Sequence, residues 1–343
     1  MARARGQSRL AIRRTPCLFC PLMTREPAQT APSPATPAKI IIAICTFKRV
    51  RQLESLLLHL ATANLDRIDS ACISILVVDN LPTGEIRIMI DRIRNRIPVP
   101  LELVEEPSRG ISHARNCAVD EALQRKCDFI AFIDDDDHPA VDWLCQLIAR
   151  QQAMNADIIL GAALRASNDD TLHVPDDSVP IWREDGLANT LGTGNVMIAR
   201  SVLERMQSKG PVFDPAFGHI GGEDADFYYR AKLAGARFVR ASASRVFAPY
   251  SQERTSGRGL FALKFRYGCA DAALVRRHLD PAARRKWLGA TVRRFLRSLL
   301  TTPVRLLRDP RKYDRTLSKL GWPSGALYGF FGGRYGYYGK KER

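Results

Sequence analysis

Residues 130–138 read Ile130-Ala131-Phe132-Ile133-Asp134-Asp135-Asp136-Asp137-His138. An apolar run without polar alternation ends in four consecutive carboxylates. Its length and pattern predict a strand over Asp128–Asp134 that is buried on both faces. Four adjacent like charges each disfavour their neighbours' ionised form, and a divalent cation removes that cost. Oxygen-only donors select Mg²⁺ or Mn²⁺ over zinc. On an extended segment alternate side chains share a face, so Asp134 and Asp136 are expected to point together. The spacing is the DxD arrangement, in which carboxylates hold a metal that bridges two phosphates. A solvated acidic loop is the plain alternative. The buried strand directly before the run weighs against it, because loops at strand ends in α/β sheets are where function concentrates. A dehalogenase-type Asp-x-Asp site needs Thr or Val where His138 stands. A calcium loop counted from Asp134 needs Gly and Glu where Pro139 and Cys145 stand.

Outward from this strand the same kind of run recurs. Residues 40–44 (IIIAI), Ser74–Asp79, Leu101–Glu105, Ala156–Leu164 and Phe238–Phe247 are further strand candidates. Between them Val50–Ala63, Glu85–Arg96, Ser112–Lys126, Asp142–Met154 and Glu223–Ala234 have apolar residues at helical spacing. Strands alternating with helices predict a mainly parallel sheet in a three-layer α/β sandwich. Ligands of such sheets sit at the carboxyl ends of the strands. That edge is occupied here by Cys45–Arg49, Asp79–Asn80, Glu105–Gly110 and Asp134–Asp137.

Two further segments carry chemistry. Gly221-Gly222-Glu223-Asp224-Ala225-Asp226 opens a helix with three acids in its first turn. The helix dipole alone accounts for acids there, but a carboxylate so placed also serves as a general base. Arg109–Asn116 puts a glycine turn before a helix whose N-terminus suits an anion. Asp79 is placed to accept hydrogen bonds from a base or ribose.

Taken together and in this order, Cys45-Thr46-Phe47-Lys48-Arg49, Val77-Val78-Asp79-Asn80, Gly110–Asn116, Asp134–Asp137 and Glu223-Asp224 with Arg230 resemble glycosyltransferase family 2. These are inverting enzymes of the GT-A (Rossmann-like) fold. The resemblance spans about residues 39–250 and is closest in look to bacterial exopolysaccharide enzymes of the succinoglycan type. It implies a nucleotide-sugar donor, in particular a UDP-sugar, and a saccharide or lipid-linked acceptor. It implies that Thr46, Phe47, Arg49, Asp79, Arg115, Asp134 and Asp135 hold the donor, with Asp79 near the base. It implies that Asp136, with Asp134, ligates Mg²⁺ or Mn²⁺. Asp224 is the implied general base with Glu223 beside it, and Gly194 and Asn195 face the acceptor. The chain departs from many relatives at Asn80 and at His138, where acids are common.

Charge divides the chain. Residues 1–38 hold six basic and one acidic side chain, residues 39–253 hold 24 and 30, and residues 254–343 hold 22 and five. The net values are +5, −6 and +17, which sum to the chain's +16. Residues 1–38, proline-rich and without a core pattern, are expected to be disordered. Residues 251–343 are expected to form a basic helical extension. In Arg284–Leu307, Trp287, Leu288, Val292, Phe295, Leu296, Leu299 and Leu300 fall at helical spacing, with Arg293, Arg294 and Arg297 mostly opposite. That pattern suits peripheral contact with an anionic membrane, at the cytoplasmic face of the cell membrane, or else packing on the catalytic domain. The Gly- and aromatic-rich end from Tyr328 to Tyr338 would pack on lipid or protein. No stretch reaches the ~18–20 apolar residues of a membrane span. Among eight cysteines only Cys17 and Cys20 form a C-x-x-C pair, and no second pair completes a zinc site. A nucleic-acid-binding protein is the rival suggested by the sequence pI of 9.8, but the motif-bearing part is acidic, so nucleic acid is not an expected partner. A nucleotidyltransferase with a similar metal site is the second rival.

Overall fold

The computed structural model describes residues 38–63, 68, 72–165, 177–178, 180–183, 192–218, 221–248, 256–308 and 313–333. The expected tail over 1–37, with Cys17 and Cys20, lies outside the described residues. So do most of the irregular stretch before Asn189 and the end of the chain beyond Gly333.

The elements run β1 (Ile40–Thr46), α1 (Val50–Leu60), β2 (Ile73–Asp79), α2 (Glu85–Ile93), β3 (Leu101–Glu105), α3 (Ile111–Gln124), β4 (Phe129–Ile133), β5 (His138–Pro139), α4 (Trp143–Met154), β6 (Ile158–Arg165), β7 (Asn195–Ala199), α5 (Arg200–Gln207), α6 (Glu223–Leu233) and β8 (Phe238–Ala248). The helix expected over Glu85–Arg96 ends at Ile93 and continues as a 3₁₀ turn through Arg96.

The strands form one sheet in the order β3-β2-β1-β4-β7-β6-β8-β5. β3, β2, β1 and β4 pair in parallel, as do β6 and β8. β7 enters antiparallel between β4 and β6, so the sheet is mixed though mostly parallel. Alternate residues of the buried runs feed opposite faces. Ile40, Ile42 and Ile44 pack with Leu53, Leu57, Ile86, Ile90, Trp143 and Leu147 from α1, α2 and α4. Ile41, Ala43, Leu76 and Val78 pack with Ala118, Val202 and Phe227 from α3, α5 and α6. Both faces are covered, which is why these strands read as continuous apolar runs. Fully burying one such side chain contributes about 1.5–3 kcal/mol.

Beyond the sheet follow α7 (Gly257–His278), α8 (Pro281–Arg308) and α9 (Tyr313–Phe330). α7 and α9 pack with their backbones nearly touching. A Cβ at Gly325 would lie 1.9 Å from the Phe265 carbonyl oxygen, and one at Gly321 would lie 2.5 Å from that of Phe261. α7 also joins the sheet-bearing part, since Phe217 packs in one apolar cluster with Ala272, Leu274, Val275 and Trp287. The apolar residues of α8 divide: Trp287 is buried, while Val292, Leu296, Leu299 and Leu300 are exposed.

Candidate active site

The carboxyl ends of β1, β2 and β3 lie in register, Thr46 beside Asp79 and Asp79 beside Glu105. β4 ends at the same edge. The antiparallel pairing of Ile133 with Asn195 brings Gly192–Gly194 beside the acidic run. The inserted strand therefore supplies one wall of the site.

The run itself bends. Asp137 N–H donates to the Asp134 carbonyl at 3.1 Å, which closes a turn where an extended segment was expected. Arg49 is the physical reason: its Nη1 lies 2.8 Å from Asp135 Oδ1 and 2.9 Å from Asp136 Oδ2, and the bend draws both carboxylates onto one cation. Lys48 takes a left-handed φ of 59° just before it, a conformation uncommon outside glycine. Side-chain exposure nevertheless alternates along the run. Asp134 exposes 52% and Asp136 30% of their side chains, while Asp135 and Asp137 are buried.

Thr46 is buried, and its hydroxyl donates to Asp135 Oδ2 at 2.8 Å. Burial pushes the Asp135 carboxyl up to about 6, against the pull of Arg49 and the Thr46 hydrogen bond. Phe47 is exposed at the rim. Asp79 is buried, which raises its pKa, and its Oδ1 accepts from Leu81 N–H at 3.0 Å. Asn80 has a structural use: its amide donates to the carbonyls of Glu106 and Ser108 and accepts from Gly110 N–H. It thereby fixes the loop that leads into α3.

Arg115, on α3, joins segments far apart in sequence. Its Nη1 lies 2.6 Å from Glu223 Oε1 and its Nη2 3.8 Å from Asp134 Oδ1. Its guanidinium stands 5.6 Å from the centroid of the Phe213 ring. Burial opposes its charge, and the facing carboxylates, Glu223 first, outweigh that. Asp224 follows Glu223 at the start of α6. Burial, then the neighbouring Glu223, push its carboxyl upward, while Arg115 pulls the other way. A Cβ placed on Gly192 would lie 4.0 Å from Asp224 Oδ2.

Gly194 has no room for a side chain: a Cβ there would lie 2.6 Å from Asp134 Oδ2 and 3.2 Å from Asp137 Oδ2. Asn195, expected to face an acceptor, is buried instead. Its Oδ1 accepts from Trp143 Nε1 at 2.8 Å, and its Nδ2 donates to the carbonyls of Ala162 and Ser244. The side chain is a strut between α4, β6, β7 and β8, because a buried amide must satisfy its own donors and acceptor. Thr193, not singled out in the sequence, has a buried hydroxyl with no hydrogen-bond partner among the described residues. Its signal was only its place between two glycines. Asp226, also missed as a partner-bearing residue, is held at 2.7 Å by both Arg230 and His278. The Arg230 pair is visible as an i,i+4 spacing; His278 is 52 residues away and is not.

Among the described residues no group of three or more His, Cys, Asp or Glu side chains is gathered as a metal cage. Mg²⁺ is commonly held by one or two carboxylates and completes its shell with substrate phosphates and water. Asp134 and Asp136, the more exposed carboxylates of the run, fit that requirement, with Arg49 sharing one oxygen of Asp136. The space that Gly194 leaves lies against Asp134.

Residues 41–206 match the family model of Glycosyl transferase family 2. The chain is 29% identical over 244 residues to the succinoglycan biosynthesis protein ExoM of Rhizobium meliloti (strain 1021), covering 69% of this chain and 75% of that protein. Among solved structures it is similar to the mannosyltransferase PcManGT from Pyrobaculum calidifontis in complex with GDP-Man and Mn²⁺. The TM-score is 0.59 at 18% identity, with 89% of this chain and 91% of that one covered. That likeness establishes the GT-A fold.

Proposed function

We propose that the chain, whose residues 41–206 match the glycosyl transferase family 2 model, is a glycosyltransferase that transfers a sugar from a nucleotide-sugar donor to a saccharide or lipid-linked acceptor in exopolysaccharide synthesis, with inversion. The observation that carries this reading is the Arg115 bridge. It brings Asp134 of the acidic run and Glu223 of α6 to one guanidinium, so the donor's diphosphate region and a basic carboxylate share one cleft. The similarity to a succinoglycan biosynthesis protein supports the polysaccharide context. A UDP-sugar is the proposed donor, its nucleoside lying along Thr46, Phe47 and Asp79, with Arg49 and Asp135 beside the ribose and phosphates.

Asp224 takes the proton of the acceptor hydroxyl as the oxygen attacks the anomeric carbon. Its raised pKa makes it a stronger base than an exposed aspartate. Glu223 and Arg115 orient it and balance the charge around it. Gly192–Gly194 lines the acceptor side, where the Thr193 hydroxyl is a donor in want of a partner. Asp134 and Asp136 would hold Mg²⁺ or Mn²⁺, which supplies Lewis-acid neutralisation of the departing diphosphate. Holding both substrates in line supplies much of the remaining rate. The outward face of α8, with Val292, Leu296, Leu299 and Leu300 exposed, is the proposed peripheral contact with an anionic membrane.

The test is Asp224→Asn. Transfer should fall about 10²–10⁴-fold, while calorimetry shows nucleotide-sugar binding unchanged. The wild-type product should be a nucleoside diphosphate. Near-normal turnover in the variant would remove Asp224 as base, and release of pyrophosphate would mark a nucleotidyltransferase.

A further inference from the structure

A second cleft, of about 460 Å³, opens between α7, α8 and α9. It is lined by Lys264 of α7, by Arg294, Arg297, Ser298 and Thr301 of α8, and by Lys319 of α9, with Trp322 as a wall. Four cations and two hydroxyls face it, and among the described residues no carboxylate lines it. The α8 residues fall at i, i+3, i+4 and i+7, which places them on one helix face. That face is opposite the exposed stripe of Val292, Leu296 and Leu299.

Two of the cations are held in place. The Arg294 guanidinium stands 4.6 Å from the Trp322 ring centroid. Lys264 Nζ donates to Ser318 Oγ at 3.0 Å. Asp271 of α7 is engaged by Arg183 at 3.0 Å and by Trp322 Nε1 at 3.1 Å. Burial first, then Lys319 and Arg294, depress the Lys264 pKa, so these two cations crowd Lys264. Such crowding costs stability unless an anion relieves it.

We propose that this cleft is a binding site for a phosphoryl group, a phosphate or diphosphate. The chemistry argues for several oxygens over one carboxylate. Arginine forks, ammonium groups and hydroxyls supply more donors than two carboxylate oxygens accept, and they match phosphate geometry. The site is tied to the catalytic helix through α7. A Cβ on Gly222, at the start of α6, would lie 3.1 Å from Ala270 Cβ of α7. Lys264 precedes Ala270 by six residues, about 9 Å of helix rise. The proposal does not depend on the donor or acceptor of the transfer reaction.

The experiment is calorimetry of the full chain with inorganic pyrophosphate in EDTA and excess UDP, comparing wild type with Lys264→Met and Arg297→Gln. Arg297 is exposed, so its variant keeps the fold, which the unfolding midpoint verifies. Each variant should weaken pyrophosphate binding at least about tenfold. In parallel, vesicles of phosphatidylcholine with and without phosphatidic acid distinguish the source. Loss of phosphatidic-acid-dependent binding in both variants assigns the site to a lipid headgroup. Unchanged vesicle binding with lost pyrophosphate binding assigns it to a soluble phosphorylated ligand. Folded variants that bind pyrophosphate and phosphatidic acid vesicles as wild type does, or a wild type that binds neither, overturn the proposal.

Discussion

Asp224 directly follows Glu223, which pairs with Arg115, and burial first and then that neighbour's charge set its titration. Glu223 sits at 2.6 Å from the guanidinium, so Arg115 spends much of its field there. Burial and the Glu223 charge then raise Asp224 above the ordinary aspartate value of about 3.9. A general base works only when deprotonated, so the rate is fully present above the raised pKa and lost as pH falls through it. The acid limb of kcat/KM should therefore lie well above pH 4, and Glu223→Gln should move it to lower pH by removing the like charge. A pH–rate profile of both enzymes checks this; a limb at the ordinary aspartate value would count against the base assignment. Single residues were read from sequence with uneven success. Asp134, Arg115 and Glu223 meet as a set, because chemistry-bearing side chains at a strand end and at helix starts announce themselves by type. Asn195 shows the limit. The family resemblance implies that it faces the acceptor, and only its buried partners Trp143, Ala162 and Ser244 reveal a strut.

At the scale of elements, β1, β2 and β4 were legible because burial on both faces leaves no polar residue in the run. That β7 enters as an antiparallel insert was not legible, since direction in a sheet is fixed by partners and not by pattern. The bend at Asp134–Asp137 was hidden for a related reason, as it depends on Arg49 reaching across from the end of β1. The contact of α7 with α9 was missed because glycine in a helix reads as weakness. It yields a prediction with two opposite signs. Gly325→Ala places a methyl 1.9 Å from the Phe265 carbonyl oxygen and should cost about 1–3 kcal/mol or more. Gly289→Ala, in α8, meets nothing closer than Arg293 Nη1 at 3.6 Å and should stabilise by about 0.5–1 kcal/mol. Urea unfolding of the two variants measures both; equal shifts would mean that the α7–α9 contact is looser than it stands here.

For the whole molecule the separation of charge is the organising fact: an acidic catalytic body and a C-terminal region of net +17. Among the described residues no helix is long and apolar enough to cross a membrane, and the apolar stripe on α8 lies on the surface. Leu296→Ser with Leu300→Ser should lower flotation with anionic vesicles at least about tenfold, given roughly 1.5–3 kcal/mol for each leucine buried. Wild-type binding should also weaken with salt. Flotation that ignores both the leucines and the salt would remove the membrane reading and leave the transfer chemistry untouched.

The seam between α7 and α9 has a mechanical consequence. At Gly321 and Gly325 the backbones of the two helices bear directly on each other, so at those points there is little to yield under load. α7 is in turn pinned to α6 through His278 and Asp226 at 2.7 Å. A push on the C-terminal helices, from a surface they rest on or a ligand they hold, is then passed on as a rigid displacement to the helix that carries Asp224, with little slack between the two.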